Sequence, residues 1–370
     1  MSKAAELANL IGNINAGSPL ANKNLVQNGA MLVNQRGSSA ITLSGLTPNI
    51  DRFTAYKSND GTQTVEQSTD GPEGFKNSMK VINTGADSSV TSANRVAILH
   101  RIEGQHVAHL ELGTSNAKTI TLSFYVKSSI TGTHGGSFGN GANNRAYPFT
   151  YTISSADTWE RKSITVAGDT TGTWATDNTT GLQVAWGLGV GTANSGTAGA
   201  WESADRNSAT GATTGFLTTV NATWYLTGVQ LEIGQNETPF EHEAIAETEI
   251  KCFRYMQRLP HRDNDTGTGY ANITTMGRND STTLHTGCIM LPVVMRADAT
   301  NANTSTSGNF RVHHPAAAEA VTAIAIDDNF STAGNVGINA TVSSGLTAGH
   351  GSQLEQNNDP DAHILLKAEL

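Results

Sequence analysis

Two cysteines, Cys252 and Cys288, serve a chain of 370 residues. One pair cannot staple a fold of this length, so packing must hold it, and both thiols are expected to be free and buried. No run approaches the roughly 18 apolar residues of a membrane-spanning helix, which excludes insertion of that kind. The opening stretch "MSKAAELANLIGNINAG" places Glu6 and Asn9 where a secretory leader needs an apolar centre,. Release by lysis rather than secretion is therefore expected. Charge is sparse at 15%, the net charge is −9, and no Lys/Arg cluster occurs. A nucleic-acid partner would need a basic face, so that class is set aside. The Ala, Leu, Glu and Lys mixture that builds long helices is missing from most of the chain.

What is present is Gly (38 residues) with abundant Thr, Ser and Asn. Thr with Val, Ile and aromatics suits pleated strands, and Gly, Asn and Ser suit turns. The sequence predicts an all-β protein of two β-sandwich (jelly-roll-like) domains, a short connecting helix and a short N-terminal helix. The predicted boundaries are 1–23 for the N-terminal helix segment, 24–240 for the first sandwich, 241–262 for the connector and 263–370 for the second sandwich. In the first segment Leu7, Leu10, Ile11 and Ile14 fall at i, i+3, i+4, i+7, an apolar stripe on a helix too short to stand alone in water,. It needs its own domain, a sister subunit or a larger assembly.

In "KTITLSFYVKSS", Ile120, Leu122, Phe124 and Val126 alternate with Thr121, Ser123, Tyr125 and Lys127. That period of two predicts one buried face and one wet face. "GLQVAWGLGVG" repeats the pattern, with Leu182, Val184, Trp186, Leu188 and Val190 inward. "RVAILHRIEG", "HVAHLEL", "YPFTYTIS" and "ERKSITVAG" are further predicted strands. In "TWYLTGVQLEIG" the apolar phase shifts between Leu226 and Val229, which predicts a bulge at Thr227–Gly228,. A helix is expected over 241–259, its buried stripe being Ile245, Ile250, Phe253 and Met256, with Pro260 ending it. Beyond it, "TGCIMLPVVM", "GNFRVHH", "AVTAIAIDD", "VGINATVSSGL" and "HILLKAEL" read as strands,.

A longer pattern joins these pieces: "NLVQNGAMLVNQRG", "DRF", "RIEGQHVAHLELGTSNAKTITLSFYVKSS", "NNRAYPFTYTISSADTWERKSITVAGDTTGTW", "TWYLTGVQLEIG" and "TPFEHEAIAETEIKCFRYMQRL". Over roughly Asn24–Leu259 it resembles tail-fibre and appendage proteins of marine and cyanobacterial tailed phages. The resemblance implies a virion structural protein, commonly a homotrimer in fibres, assembled in the host cytoplasm. "NLVQNG" and "WYLTGVQLE" are also similar to the terminal strands of carbohydrate-binding modules. Such modules often hold a structural calcium with acidic residues near both strands. The matching places here read Ala30-Met31 and Thr227-Gly228, which lack the carboxylates a hard cation needs, so no cofactor is expected,.

Sugar sites present an aromatic face ringed by polar groups. Trp159, Trp174 and Trp201 stand in or beside polar loops, and Tyr147 follows Asn143, Asn144 and Arg145. These four are the candidate glycan contacts, and Leu7, Leu10, Ile11 and Ile14 the candidate attachment stripe to sister subunits or virion proteins. Glu160, Glu202 and Asp205 share the loop region, but no nucleophile elbow accompanies them,. The Gly-rich stretches "HGGSFGNG" and "GLGVGTANSG" lack the lysine and helix of a phosphate loop and read as plain turns,. His106/His109 and His313/His314 would diverge on strands, so no metal is expected there. The leading expectation is a non-enzymatic virion appendage that touches a host-surface glycan. Its rivals are a head or tail decoration protein and a polysaccharide depolymerase.

Overall fold

The computed structural model describes residues 3–15, 22–260, 270–274, 276–359 and 362–370. Two units emerge, residues 1–248 with residue 370, and residues 249–369. The structure is all-β, with helices confined to short pieces.

The first unit begins with α1 (Lys3–Asn15). Its first strands are β1 (Ile41–Thr42), β2 (Gly45–Pro48), β3 (Phe53–Ser58), β4 (Thr62–Ser68), β5 (Ser78–Gly85), β6 (Arg95–Glu103) and β7 (Ile120–Ser128). They continue as β8 (Gly132–Gly139), β9 (Ala146–Ile153), β10 (Glu160–Val166), β11 (Thr180–Val190), β12 (Ser195–Gly196), β13 (Ser208–Ala209) and β14 (Thr223–Ile233). One sheet runs β1-β4-β5-β14-β7-β10 and the other β2-β3-β6-β11-β8-β9. Antiparallel pairing and alternating side chains let their inner faces meet in one core. Phe53, Phe124, Phe138, Trp186 and Trp224 fill it without exposure. Of the predicted inward set, Leu182, Val184, Trp186 and Leu188 lie in that core, whereas Val190, beyond the register shift after Gly187, is buried outside it.

The predicted bulge is present: the β14–β7 register jumps between Thr227 and Gln230, and Gly228 takes φ +59°. A Cβ at Gly228 would stand 2.8 Å from the Phe75 ring. The reason for that crowding corrects the expected wet face of β7. Thr121, Ser123 and Lys127 are buried, because neighbouring segments cover the outer side of this sheet. Phe75 packs on Tyr125 and Phe240 at centroid distances of 5.3 and 5.0 Å. Thr238 donates its backbone N–H and its hydroxyl to the buried Glu232 carboxylate at 2.8 and 2.7 Å.

The same anchoring shortens the predicted connector helix. The Glu241 carboxylate accepts the backbone N–H groups of Asn22 and Asn24 at 2.8 and 3.1 Å, and Glu241 N donates to Gln230 at 2.8 Å. Residues 241–244 are thereby held off the helix, and α4 spans only Ile245–Phe253. Ile245 and Ile250, expected inside, are exposed, whereas Cys252 and Met256 are buried. Residues 256–259 are not helical; they form β15 (Met256–Leu259). The expected strand "HVAHLEL" is instead α2 (Gly104–Val107) and a 3-10 turn over Ala108–Leu110, burying Val107 and Leu110 three apart. Gly104 N and Gln105 N leave the β6 ladder to donate to Thr179 and Asp177 carbonyls at 2.8 Å each.

In the second unit the strands are β15, β16 (Met276–Asn279), β17 (Leu284–Met290), β18 (Thr300–Thr304) and β19 (Phe310–His314). They are followed by β20 (Ala317–Thr332), β21 (Asn335–Val342), β22 (Gly351–Gln356) and β23 (Ile364–Lys367). Where the sequence predicts a second two-sheet stack, β16-β17-β21-β20-β19-β22 closes into a barrel, and β15-β23-β18 forms a three-stranded sheet. Closure follows from β22 pairing both β16 and β19, which leaves those strands no free edge there,. The C-terminal "HILLKAEL" pairs between β15 and β18 as a strand. Cys288 is exposed, contrary to expectation, because His285 and Gly287 take the inward positions of β17.

Candidate functional site

The structure brings three of the four predicted aromatics together and leaves the fourth elsewhere. Trp174 and Trp201 meet edge to face at 5.4 Å, and Tyr147 meets Trp201 at 5.4 Å. Both indoles are satisfied within the chain. Trp201 Nε1 donates to the Ala167 carbonyl at 2.8 Å and Trp174 Nε1 to the Thr171 carbonyl at 3.2 Å. All three rings pack on the core. They cross-brace the 167–174 and 195–206 loops onto the end of β9. Beside them Arg145 grips the buried Asp169 through two hydrogen bonds of 2.6 and 2.7 Å and donates to Ser203 Oγ at 3.0 Å. Burial alone would raise the Asp169 carboxyl, but Arg145 and Thr171 together hold it below the usual carboxylate range.

Trp159 stands apart, on the other sheet. Its Nε1 donates to Asp70 at 3.1 Å, and its ring faces Tyr225 at 6.0 Å. Lys127 Nζ lies 4.2 Å from the Tyr225 centroid and 5.3 Å from that of Trp159. The Lys127 hydrogen bond is the main reason the Asp70 carboxyl lies below its ordinary value.

The site that sequence reasoning missed lies on the outer face of β2-β3-β6-β11. Ala97, Leu99 and Ala185 form a small apolar floor there, distinct from the main core, with Tyr56 against it. A cleft of about 140 Å³ opens over this floor. It is lined by Leu46, Tyr56, Arg95, Leu99, Arg101, Asn143, Gln183, Asp205 and Asn207. The Arg95 guanidinium stacks over Tyr56 at 4.1 Å and donates to Asp205 at 3.0 Å and Asn207 at 2.7 Å. Arg101 Nε donates to Gln183 at 2.9 Å.

Glycines explain how the loop reaches this face. A Cβ at Gly135 would fall 2.2 Å from Ser208 Oγ, and one at Gly187 would fall 2.9 Å from the Asn207 carbonyl. The two Gly-rich stretches expected to be turns are thus largely strand, β8 and the end of β11, kept bare where the chain crosses them,. Ser137 Oγ fixes that crossing by donating to the Arg206 carbonyl at 2.5 Å, and Arg206 is paired with Glu202 at 3.2 Å. The indoles therefore anchor the loop, and the loop carries Asp205 and Asn207 to the cleft. The signal in the sequence was the small-residue alternation Ala97, Ala185, Gly187, Gly135 on outward positions.

Each carboxylate considered for catalysis is engaged: Glu160 with Lys162, Glu202 with Arg206, and Asp205 with Arg95. Between the two stretches compared with the terminal strands of carbohydrate-binding modules, Asn24 Oδ1 accepts Val26 N and Leu231 N at 3.0 Å each. Among the described residues no three His, Cys, Asp or Glu side chains stand together as a metal site requires. In α1, Leu7 and Ile11 are exposed and Leu10 is half-buried, while the Ile14 side chain lies outside the described ones. No described helix is long and apolar enough to cross a membrane.

No family model and no curated protein matches the chain. Among solved structures it is similar to the enzymatically active domain of tailspike protein 4 of bacteriophage CBA120, at 12% identity and a TM-score of 0.28. That match covers 57% of this chain and 21% of the tailspike chain, so this chain spans about a fifth of it. A family 11 carbohydrate-binding module from Clostridium thermocellum, solved with a mixed-linked tetrasaccharide, matches at 10% identity and a TM-score of 0.27. It covers 56% of this chain and 99% of the module. A third structure, TmCBM61 with a galactotriose, matches at 7% identity and a TM-score of 0.27, over 57% of this chain and 99% of the other.

Proposed function

We propose that the chain is a virion appendage protein whose first unit binds a host-surface glycan and leaves it chemically unchanged. The cleft at Tyr56 carries this reading. A sugar ring offers a C–H face and a rim of hydroxyls, so it calls for an apolar floor beside a few convergent polar groups. Leu99 and Tyr56 supply the first; Asn143, Gln183, Asp205 and Asn207 supply amide and carboxylate partners of the second kind,. A volume of about 140 Å³ has room for one sugar ring rather than a run of them. Binding without turnover is supported by the ion pairing of Glu160, Glu202 and Asp205.

The virion placement is supported by the sequence resemblance over residues 24–259. The exposed Leu7 and Ile11 of α1 support attachment through that helix, since 13 residues alone form a marginal helix in water,. Three copies joined there, or on other virion proteins, would raise weak single-site binding by about 10²–10⁴. Adsorption of the purified protein to host cells tests the reading. Tyr56→Ala and Asn207→Ala are expected to lower it at least about tenfold, the scale of one lost buried contact of about 1.4 kcal/mol. Undiminished adsorption by both variants, with unaltered circular dichroism, would remove the cleft from the function.

A further inference from the structure

We propose that the glycan held at Tyr56 is an oligosaccharide, and that the units beside the held ring are uncharged sugars seated in a second cavity on the same sheet face. The inference rests on the glycan reading of the Tyr56 cleft and extends it to the length and charge of the ligand. Strand register places the two sites side by side. Beyond the shift after Gly187, Val190 of β11 stands directly opposite Arg95 of β6. Opposed residues of antiparallel strands turn their side chains to the same face. Arg95 lines the cleft, and Val190 lines a separate cavity of about 310 Å³. At the other border one loop serves both: Asn207 walls the cleft, and Ala209, two positions on, walls the cavity.

The lining decides what the cavity can take. Among the described residues none that lines it is ionisable. A charged group entering it would shed water without meeting a counter-ion, which disfavours a uronate or sulfated unit there. Ser195 Oγ is already engaged, donating to the Val190 and Gly191 carbonyls at 3.4 and 3.1 Å. The hydroxyls of Thr91, Ser92, Thr192, Thr210 and Thr214 have no hydrogen-bond partner among the described residues. A hydroxyl both donates and accepts, as each sugar hydroxyl does, so such a rim matches an uncharged sugar. Val90 and Val190 supply an apolar wall for its C–H face,. The walls are fixed before any ligand arrives. A Cβ at Gly191 would lie 2.2 Å from the Thr91 carbonyl oxygen, so glycine lets the turn over 91–94 close on the end of β11. Ala193 N donates to the Ser92 carbonyl at 2.9 Å, and Thr210 N to the Gly196 carbonyl at 2.7 Å. Binding there therefore costs little ordering of the chain. At the scale of one ring in about 140 Å³, a cavity of about 310 Å³ holds two.

Homologous oligosaccharides of one to five units form the test, titrated against the full chain by calorimetry: neutral series of glucose, galactose, mannose and N-acetylglucosamine, with uronate series beside them. In a neutral series that binds, affinity is expected to rise at least about tenfold from the one-unit to the three-unit member and to level off beyond it. Between about 0.05 and about 0.5 M salt that gain should change less than about twofold, since no ion pair contributes to it. The double variant Thr91→Val, Thr210→Val keeps the shape of the cavity and removes two hydroxyls, and Thr210→Trp fills it. Both should remove most of the gain and leave one-unit binding as it is, whereas Tyr56→Ala should weaken every member. Affinity independent of length, and lost in Tyr56→Ala, would overturn the second cavity and leave the glycan site standing. A gain that persists in both cavity variants, or that only the uronate series shows, would overturn the second cavity equally. Binding indifferent to Tyr56→Ala, or no binding of any series, would overturn this inference together with the glycan reading beneath it.

Discussion

The two units reach a folded core by different means. The first stacks two six-stranded sheets on large rings, with Trp186 lying 5.8 Å from Phe124 and 6.4 Å from Phe53. The second closes a barrel around small aliphatics such as Val312, Ile338 and Leu354, and among the described residues of that core Phe310 alone is aromatic. An open pair of sheets leaves a wide space that rings fill, and it leaves outer faces available for other segments to cover. A closed six-stranded barrel has a narrow interior that branched aliphatics suffice to fill. The difference teaches where function can sit. The sandwich has an outer sheet face on which loops build a cleft, whereas a barrel interior this small is filled by its own side chains.

The tryptophans offer the sharpest way to break this contrast, because all five lie in residues 159–224 and so report the first unit alone. Trp186→Ala should cost about 3–5 kcal/mol, read as an earlier urea transition in the fluorescence of the remaining four. Leu354→Ala should cost the barrel about 2–5 kcal/mol and leave that fluorescence transition in place. Movement of the same transition by both variants would mean that the cores are not separate.

Acid sharpens the contrast next. His285 is buried in the barrel, its Nδ1 2.7 Å from Ser352 Oγ, and burial pushes its pKa down to about 4 from 6.5. The unfolded chain therefore binds a proton that the folded chain refuses between those values. The stability this group contributes is complete above about pH 6.5 and is lost as pH falls toward 4, by up to about 3 kcal/mol. His285→Asn should flatten the pH dependence of barrel unfolding, followed by far-ultraviolet circular dichroism. The first unit should keep its own acid sensitivity, since burial also lowers His100 and His134. An unchanged profile in the variant would remove His285 as the cause.

The smallest effect is expected at Trp159. Its contacts with Lys127, Tyr225 and Asp70 lie at a partly exposed place on the other sheet. Trp159→Ala should cost about 0.5–1 kcal/mol and leave cell adsorption unaltered. A loss of adsorption comparable to that of Tyr56→Ala would move the site to this sheet.

Local pattern, by itself, determined most of the strands, though it misplaced "HVAHLEL" and residues 256–259. Ile120 to Val126 and Leu182 to Leu188 carry a period of two, the phase shift after Leu226 marks a bulge, and "HILLKAEL" is a strand wherever it pairs. These are properties of neighbouring residues, so the sequence displays them. Tertiary structure alone decided what covers each face. Thr121 looks solvent-facing until it meets the Gly234 carbonyl, Lys127 until Asp70, Trp159 and Tyr225 close on it, and residues 241–244 look helical until Glu241 is held by Asn22 and Asn24. The cleft belongs to this second kind. Tyr56, Arg95, Arg101, Gln183 and Asp205 are separated by up to 149 positions and meet because three strands pair in register and one loop crosses two bare glycines. Side-chain alternation costs nothing to read along a chain, but closing long loops depends on contacts that no single segment contains.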